Sequence, residues 1–134
     1  NGAGEVEVVA GEYNGVKGAA ATFSPVNMYN VKLKKGAKTT LTFPEHYTTA
    51  LLMVEGDAKI NGATDAPQDH FVMFNNEGDT FTVEALTDTV ILVLSGEPLN
   101  EPIAAHGPFV MNHQEELITA FNDFNTGKFG YLED

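Results

Sequence analysis

The chain has no cysteine, which excludes disulfides, thiolate metal sites and cysteine nucleophiles and agrees with a reducing compartment. Positive charge is scarce. The 7 Lys plus Arg stand against 19 Asp plus Glu, a formal net charge of -12 that repels phosphate backbones and anionic lipid surfaces. The basic residues are scattered apart from Lys32, Lys34 and Lys35 around one turn, so no positive stripe exists for nucleic acid to follow. No apolar run approaches the roughly 20 residues that span a bilayer, and no basic and apolar leader opens the chain. The expectation is a cytoplasmic protein with neither nucleic-acid nor membrane partners. A nucleophile elbow, a P-loop and a dinucleotide fingerprint are also missing, and no motif places a base beside Ser24 or Ser95. The chain starts at Asn1 rather than Met, and a trimmed piece of a longer protein is expected.

What is present fits one domain: 134 residues with 13 Gly and 6 Pro, hence many turns between short elements. Segments of strand character recur between turn signals at Val6 to Val9, Ala20 to Phe23, Met28 to Leu33, Thr39 to Phe43 and Ala50 to Glu55. The series continues through Ala58 to Ile60, His70 to Phe74, Thr80 to Ala85 and Thr89 to Ser95. With no helix interposed, this spacing predicts an all-β antiparallel sandwich, jelly roll or small barrel. Tyr29 to Leu33 and Phe81 to Ala85 alternate apolar with polar side chains and should show one face to the core. Ala50 to Val54 and Val90 to Leu94 have no polar face and should be the central strands.

After Ser95 the pattern changes. Pro98, Pro102 and Pro108 punctuate an extended stretch expected to keep up no ladder and to lie across the surface. A helix is predicted next, with Asn112 as N-cap, Glu115 three residues on, and Leu117, Ile118, Phe121 and Phe124 as one apolar stripe ending at Gly127. The expected division is a barrel over 1–97 and a proline-rich segment plus helix over 98–134, packing on the barrel or on a partner domain.

The stretch Gly96-Glu97-Pro98-Leu99-Asn100-Glu101-Pro102-Ile103-Ala104-Ala105-His106-Gly107-Pro108-Phe109-Val110-Met111-Asn112 resembles the signature of the carboxyl-terminal domain of the pirin family. The resemblance continues back through Ala10 to Gly18 and forward through Glu115-Glu116, Phe121 and Gly127 to Gly130. It implies a cupin-type β-barrel with a carboxyl-terminal helix, the second half of a two-barrel protein. It also implies that iron sits in the absent amino-terminal barrel, which becomes the expected partner, with self-association as a further option. Pro98, Pro102, His106, Pro108, Phe109, Met111, Phe121 and Phe124 are the expected contacts with that partner.

Metal-binding cupins carry Gly-x5-His-x-His-x3,4-Glu-x6-Gly, which brings the ligands together at the barrel mouth. Laid on this chain from Gly36 to Gly56, the ligand positions become Thr42, Pro44 and Thr49. The stretch where the family places a further His, Phe74 to Val83, holds no His, and Asp79 is taken as the weak oxygen donor there. His46 and His70 read as loop residues, His113 as the opening of the helix, and His106 as a hydrogen-bonded contact residue. No cofactor and no catalytic residue is expected in this domain. Three functions follow from the resemblance: a metal-free structural half supporting an iron-binding barrel, part of a quercetin 2,3-dioxygenase-like oxidoreductase, or a protein-interaction module of transcriptional-cofactor type.

Overall fold

Alternating side chains along short strands build two facing antiparallel sheets. The computed structural model describes residues 2–132, which divide into two compact units, Asn1–Pro98 and Leu99–Asp134. The first unit contains β1 (Gly4–Ala10), β2 (Glu12–Tyr13), β3 (Val16–Lys17), β4 (Val26–Leu33), β5 (Lys38–Thr42) and β6 (Thr48–Glu55). It continues with β7 (Ala58–Ile60), β8 (Thr64–Ala66), β9 (Phe71–Met73), β10 (Thr80–Ala85) and β11 (Thr89–Gly96). One sheet has the order β1-β4-β11-β6-β9 and the other β5-β10-β7-β8, while β2 and β3 form a separate hairpin. Neither sheet closes on itself, and the fold is all-β and cupin-like with one carboxyl-terminal helix.

The alternation places the core. Tyr29, Val31 and Leu33 of β4 are buried, as are Leu51 and Met53 of β6 and Ile91 and Val93 of β11. Leu41, Ala58, Ile60, Phe81, Val83 and Ala85 meet them from the opposite sheet. β11 is the middle strand of its sheet and β6 lies beside it, as their apolar runs predict. Turn chemistry fixes the reversals. Gly56, at φ 70°, ends β6 where a Cβ would collide with the Asp88 carbonyl oxygen, so only glycine fits. In the turn between β7 and β8, Asn61 takes a φ of 52° and is held twice by Thr82, whose N–H donates to Asn61 Oδ1 while its carbonyl accepts from Asn61 N, both at 2.9 Å.

The expected strand over Ala20 to Phe23 does not form. Ala20 makes a single parallel bridge to Ala10, Phe23 stands in solvent, and Pro25 lacks the N–H a ladder would need. The short strands β2, β3 and β8 carry too few residues to show a period.

The second unit corrects the reading of the proline-rich stretch. It holds a hairpin, β12 (Ala104–His106) with β13 (Phe109–Met111), because Gly107 and Pro108 fall in the connecting turn and leave the ladder intact. Helix α1 spans Gln114–Asn125 and is capped one residue later than predicted, at His113 rather than Asn112. Glu116, not Glu115, closes the cap: its Oε2 accepts the backbone N–H groups of His113 at 2.8 Å and Asn112 at 3.0 Å. Leu117 and Ala120 are buried, whereas Ile118 is exposed, since one step of about 100° carries it off the face shared by Leu117, Phe121 and Phe124. No helix among the described residues is long and apolar enough to cross a membrane.

Candidate functional site

The mouth of the sandwich lies between the end of β5, the start of β6 and the segment joining β9 to β10. It is lined by Phe43, Pro44, Glu45, Tyr47, Thr49 and Asn61 on one side and by Phe74 to Phe81 on the other, apart from Asn76. β5 exposes Thr42 and turns Leu41 and Phe43 inward. Thr42 Oγ1 lies 3.2 Å from Thr80 Oγ1 on the outer side of the ladder, and Pro44 is exposed. Thr42 therefore lies off the mouth, and Pro44, though it lines the rim, has no side-chain donor atom for a metal. Thr49 does face the mouth, but it is buried and its Oγ1 lies 2.8 Å from Ser95 Oγ, which satisfies both hydroxyls.

Aromatic rings occupy the space that converging ligands would need. Tyr13 and Tyr29 have ring centroids 5.6 Å apart, Tyr29 and Phe43 5.8 Å, Phe43 and Phe81 6.2 Å, and Phe81 and Phe74 4.2 Å. The series runs from the β2–β3 hairpin to the mouth and leaves a cavity of about 60 Å³. That holds a few waters, against the roughly 300–1,000 Å³ of an ordinary small-molecule site. The backbone pins the plug, with Phe43 N donating to the Asp79 carbonyl at 2.8 Å and Phe74 N to the Thr49 carbonyl at 3.1 Å.

Two of the carboxylates at the rim, Glu45 and Asp79, are engaged in shaping the loop. Glu45 Oε1 accepts from Gly78 N at 3.0 Å, and Asp79 Oδ1 accepts from Thr80 Oγ1 at 2.9 Å. Asp79 has no imidazole beside it, and no group of three or more His, Cys, Asp or Glu side chains is placed to hold a metal ion among the described residues. A mononuclear iron site of the cupin kind does not fit the threonines, proline and phenyl rings here. Tyr29, at the heart of the stack, donates its hydroxyl to the Glu12 carbonyl at 2.7 Å. Burial, then the neighbouring Tyr13 and Glu12, raise its pKa above the ordinary 10.0.

The histidines are dispersed. His46 is edge-on to Tyr47 at 4.9 Å with Nε2 3.7 Å from Glu97 Oε1, and His70 Nδ1 lies 3.0 Å from the Gln68 carbonyl oxygen. In the second unit, Phe109 of β13 gathers Phe121 at 4.9 Å, Phe129 at 6.1 Å and Phe124 at 6.3 Å, and His106 stands edge-on to Phe121 at 5.4 Å. Four of the eight expected contact residues, His106, Phe109, Phe121 and Phe124, thus pack partly on one another. Met111 is half-buried, whereas Pro102, Pro108 and Phe124 are exposed, as are Ile103 and Val110, which the sequence reading passed over. The plug residues Phe43 and Phe74 were also missed.

A model of the pirin carboxyl-terminal cupin domain matches residues 28–130. A putative quercetin 2,3-dioxygenase of Pseudomonas aeruginosa is 38% identical over 127 residues, covering 95% of this chain and 44% of that protein. The pirin of Homo sapiens is 37% identical over 131 residues, covering 94% of this chain and 45% of its own length. A crystal structure of quercetin 2,3-dioxygenase from Acinetobacter baumannii superposes with a TM-score of 0.91 at 45% identity, covering 98% of this chain and 46% of that one. The chain thus spans a little under half the length of these relatives. It belongs to the pirin family, as a carboxyl-terminal cupin domain.

Proposed function

We propose that this domain is a metal-free cupin with a structural role, supporting an iron-binding amino-terminal cupin of the same polypeptide. The observation that carries the reading is the plugged mouth: Phe43, Phe74 and Phe81 fill the space, and the ligand positions hold Thr42, Pro44 and Thr49. Removing rings of this size from water stabilises the sandwich by roughly 1.5–3 kcal/mol each, so the plug is worth more to the fold than an opening would be. Pro98, Pro102, His106, Pro108, Phe109, Met111, Phe121 and Phe124 remain the proposed contacts with the partner, with exposed Ile103 and Val110 beside them. A cytoplasmic setting is part of the same proposal.

Native mass spectrometry and metal analysis of the purified chain test it. The expected result is a mass without metal after incubation with ferrous or nickel ions, and tightly held stoichiometric metal would overturn the reading. A second reading, supported by the dioxygenase names of two relatives, makes the whole protein an iron-dependent oxidoreductase acting on flavonols. Under it the full-length protein cleaves quercetin and the isolated chain does not, because a cavity of about 60 Å³ cannot admit a three-ring substrate.

A further inference from the structure

A sheet ends at an edge strand, whose far-side backbone groups are open to pair with another extended chain. In the first unit β1 ends the five-stranded sheet and β5 the four-stranded one, and no ladder joins them. The bonding pattern tells which groups are open. Lys34 N donates to the Ala3 carbonyl at 2.9 Å, which makes these two a bonded pair in the β1–β4 register. Bonded pairs alternate, so Glu5 and Glu7 are tied to Lys32 and Asn30, while the N–H and C=O groups of Val6 and Val8 point away from β4. On the other edge, Phe43 N donates to Asp79 and Ala85 N to Ala37, and the same alternation turns the groups of Lys38 and Thr40 away from β10. Past Val8 the β1 edge is taken, because Ala20 N donates to the Val9 carbonyl at 3.0 Å. Between the two edges runs an open groove of about 420 Å³, lined in part by Val6, Val8, Tyr13, Val16, Leu33 and Ala37. Val6 and Val8 are only half-buried, and Val16 is 60% exposed.

We propose that this groove takes an extended segment of another protein, added as a strand to the β1 edge, in which apolar residues alternate with lysine or arginine. The open N–H and C=O groups of Val6 and Val8 pair with the backbone of the segment. Its side chains then alternate between the two faces of the widened sheet. On the inward face they meet Val6 and Val8 and fill the apolar groove. On the outward face they come beside Glu5 and Glu7, both exposed; Glu7 accepts one bond from Asn30 Nδ2 at 3.3 Å, and Glu5 stands opposite Lys32. Opposite charges across a ladder stabilise the pairing and like charges oppose it, so the edge selects a basic segment. The same glutamates turn away a second copy of this chain. Two β1 edges paired antiparallel about Val6 would set Glu5 of each opposite Glu7 of the other, and each copy brings a net charge of -12. The open stretch from Gly4 to Val8 is about 17 Å long, which suits a short segment and an exchangeable complex. The groove residues all belong to the first unit and the pairing needs no metal, so the proposal is independent of the reading of the mouth.

A fluorescent seven-residue peptide of alternating valine and lysine, acetylated and amidated at its ends, tests it by anisotropy titration against this chain and against the full-length polypeptide its gene encodes. Saturable binding to both is expected. The double substitution Glu5→Gln and Glu7→Gln, at exposed positions and so compatible with folding, should weaken it about tenfold or more. A fully N-methylated peptide of the same sequence keeps the charges but loses the backbone donors, and should not bind. Amide hydrogen exchange locates the site. The bound peptide should slow exchange at Val6 and Val8 about tenfold or more, while Glu5 and Glu7, already bonded to β4, keep their rates. No binding to either protein, or equal binding of the N-methylated peptide, overturns the proposal and leaves the glutamates as guards against edge pairing. Protection confined to amides other than Val6 and Val8 overturns it as well. Binding to the chain but not to the full-length protein means that the groove is filled from within the same polypeptide, and the separate partner falls.

Discussion

Tyr29 and Phe81 show how single side chains hold the interior. Phe81 touches both Phe43 and Phe74, so Phe81→Ala removes the middle of the plug. It should destabilise the chain by about 3–5 kcal/mol in urea unfolding. Tyr29→Phe keeps the ring and loses the hydroxyl bonded to Glu12, at a cost of about 1 kcal/mol at neutral pH. The pH dependence has a definite sign. Because the folded phenol has the higher pKa, its proton-linked contribution is whole below the unfolded value near 10 and is lost as pH rises through the folded value. Stability of the parent chain should thus fall relative to Tyr29→Phe as pH rises above about 10, measured as paired urea midpoints. Of these residues, Phe81 was legible from its alternation with Thr82 and Val83. Phe43 and Phe74 were not, since each lies just past a strand end, where periodicity assigns no face. Thr42 was placed at the mouth by counting from Gly36, yet a strand turns alternate residues to opposite sides, and the pairing of Leu41 with Phe81 puts Thr42 outside.

Elements were legible where they were long. β4, β6, β10 and β11 carry clear apolar patterns, and the sequence reading lies within a residue or two of the observed bounds. The hairpin β12–β13 was hidden because proline was taken to interrupt a ladder, whereas Pro108 occupies the turn beside Gly107. The helix was found, but its start hinged on which glutamate reaches back. Glu116→Ala leaves the N–H groups of Asn112 and His113 without their carboxylate and should cost about 1 kcal/mol. Faster amide hydrogen exchange confined to the first turn of α1 is the expected signature, and Glu115→Ala should leave those rates unchanged.

For the whole molecule, the cupin character and the family followed from the signature around His106, and the structure and relatives bear both out. The runs Ala50 to Val54 and Val90 to Leu94 showed that two strands would be central, but not that one face would remain partly open, because a period says how many faces are apolar and not what covers each. The plug is the feature on which the proposed structural role rests.

The double grip of Thr82 on Asn61 also governs how the protein ages. Asn61-Gly62 and Asn14-Gly15, like Asn1-Gly2, are sequences in which the glycine nitrogen can attack the asparagine side-chain carbonyl carbon, expel ammonia and form a succinimide that water opens to aspartate or isoaspartate. Asn61 must break both bonds to Thr82 before it can swing into that geometry, whereas Asn14 sits at φ 49° between two-residue strands with Val16 open to solvent. During storage at mildly alkaline pH, peptide mapping should find isoaspartate at position 14 before position 61. Of these two turns, the one between β2 and β3 thus ages first, and the one between β7 and β8 is kept by its bonds to Thr82.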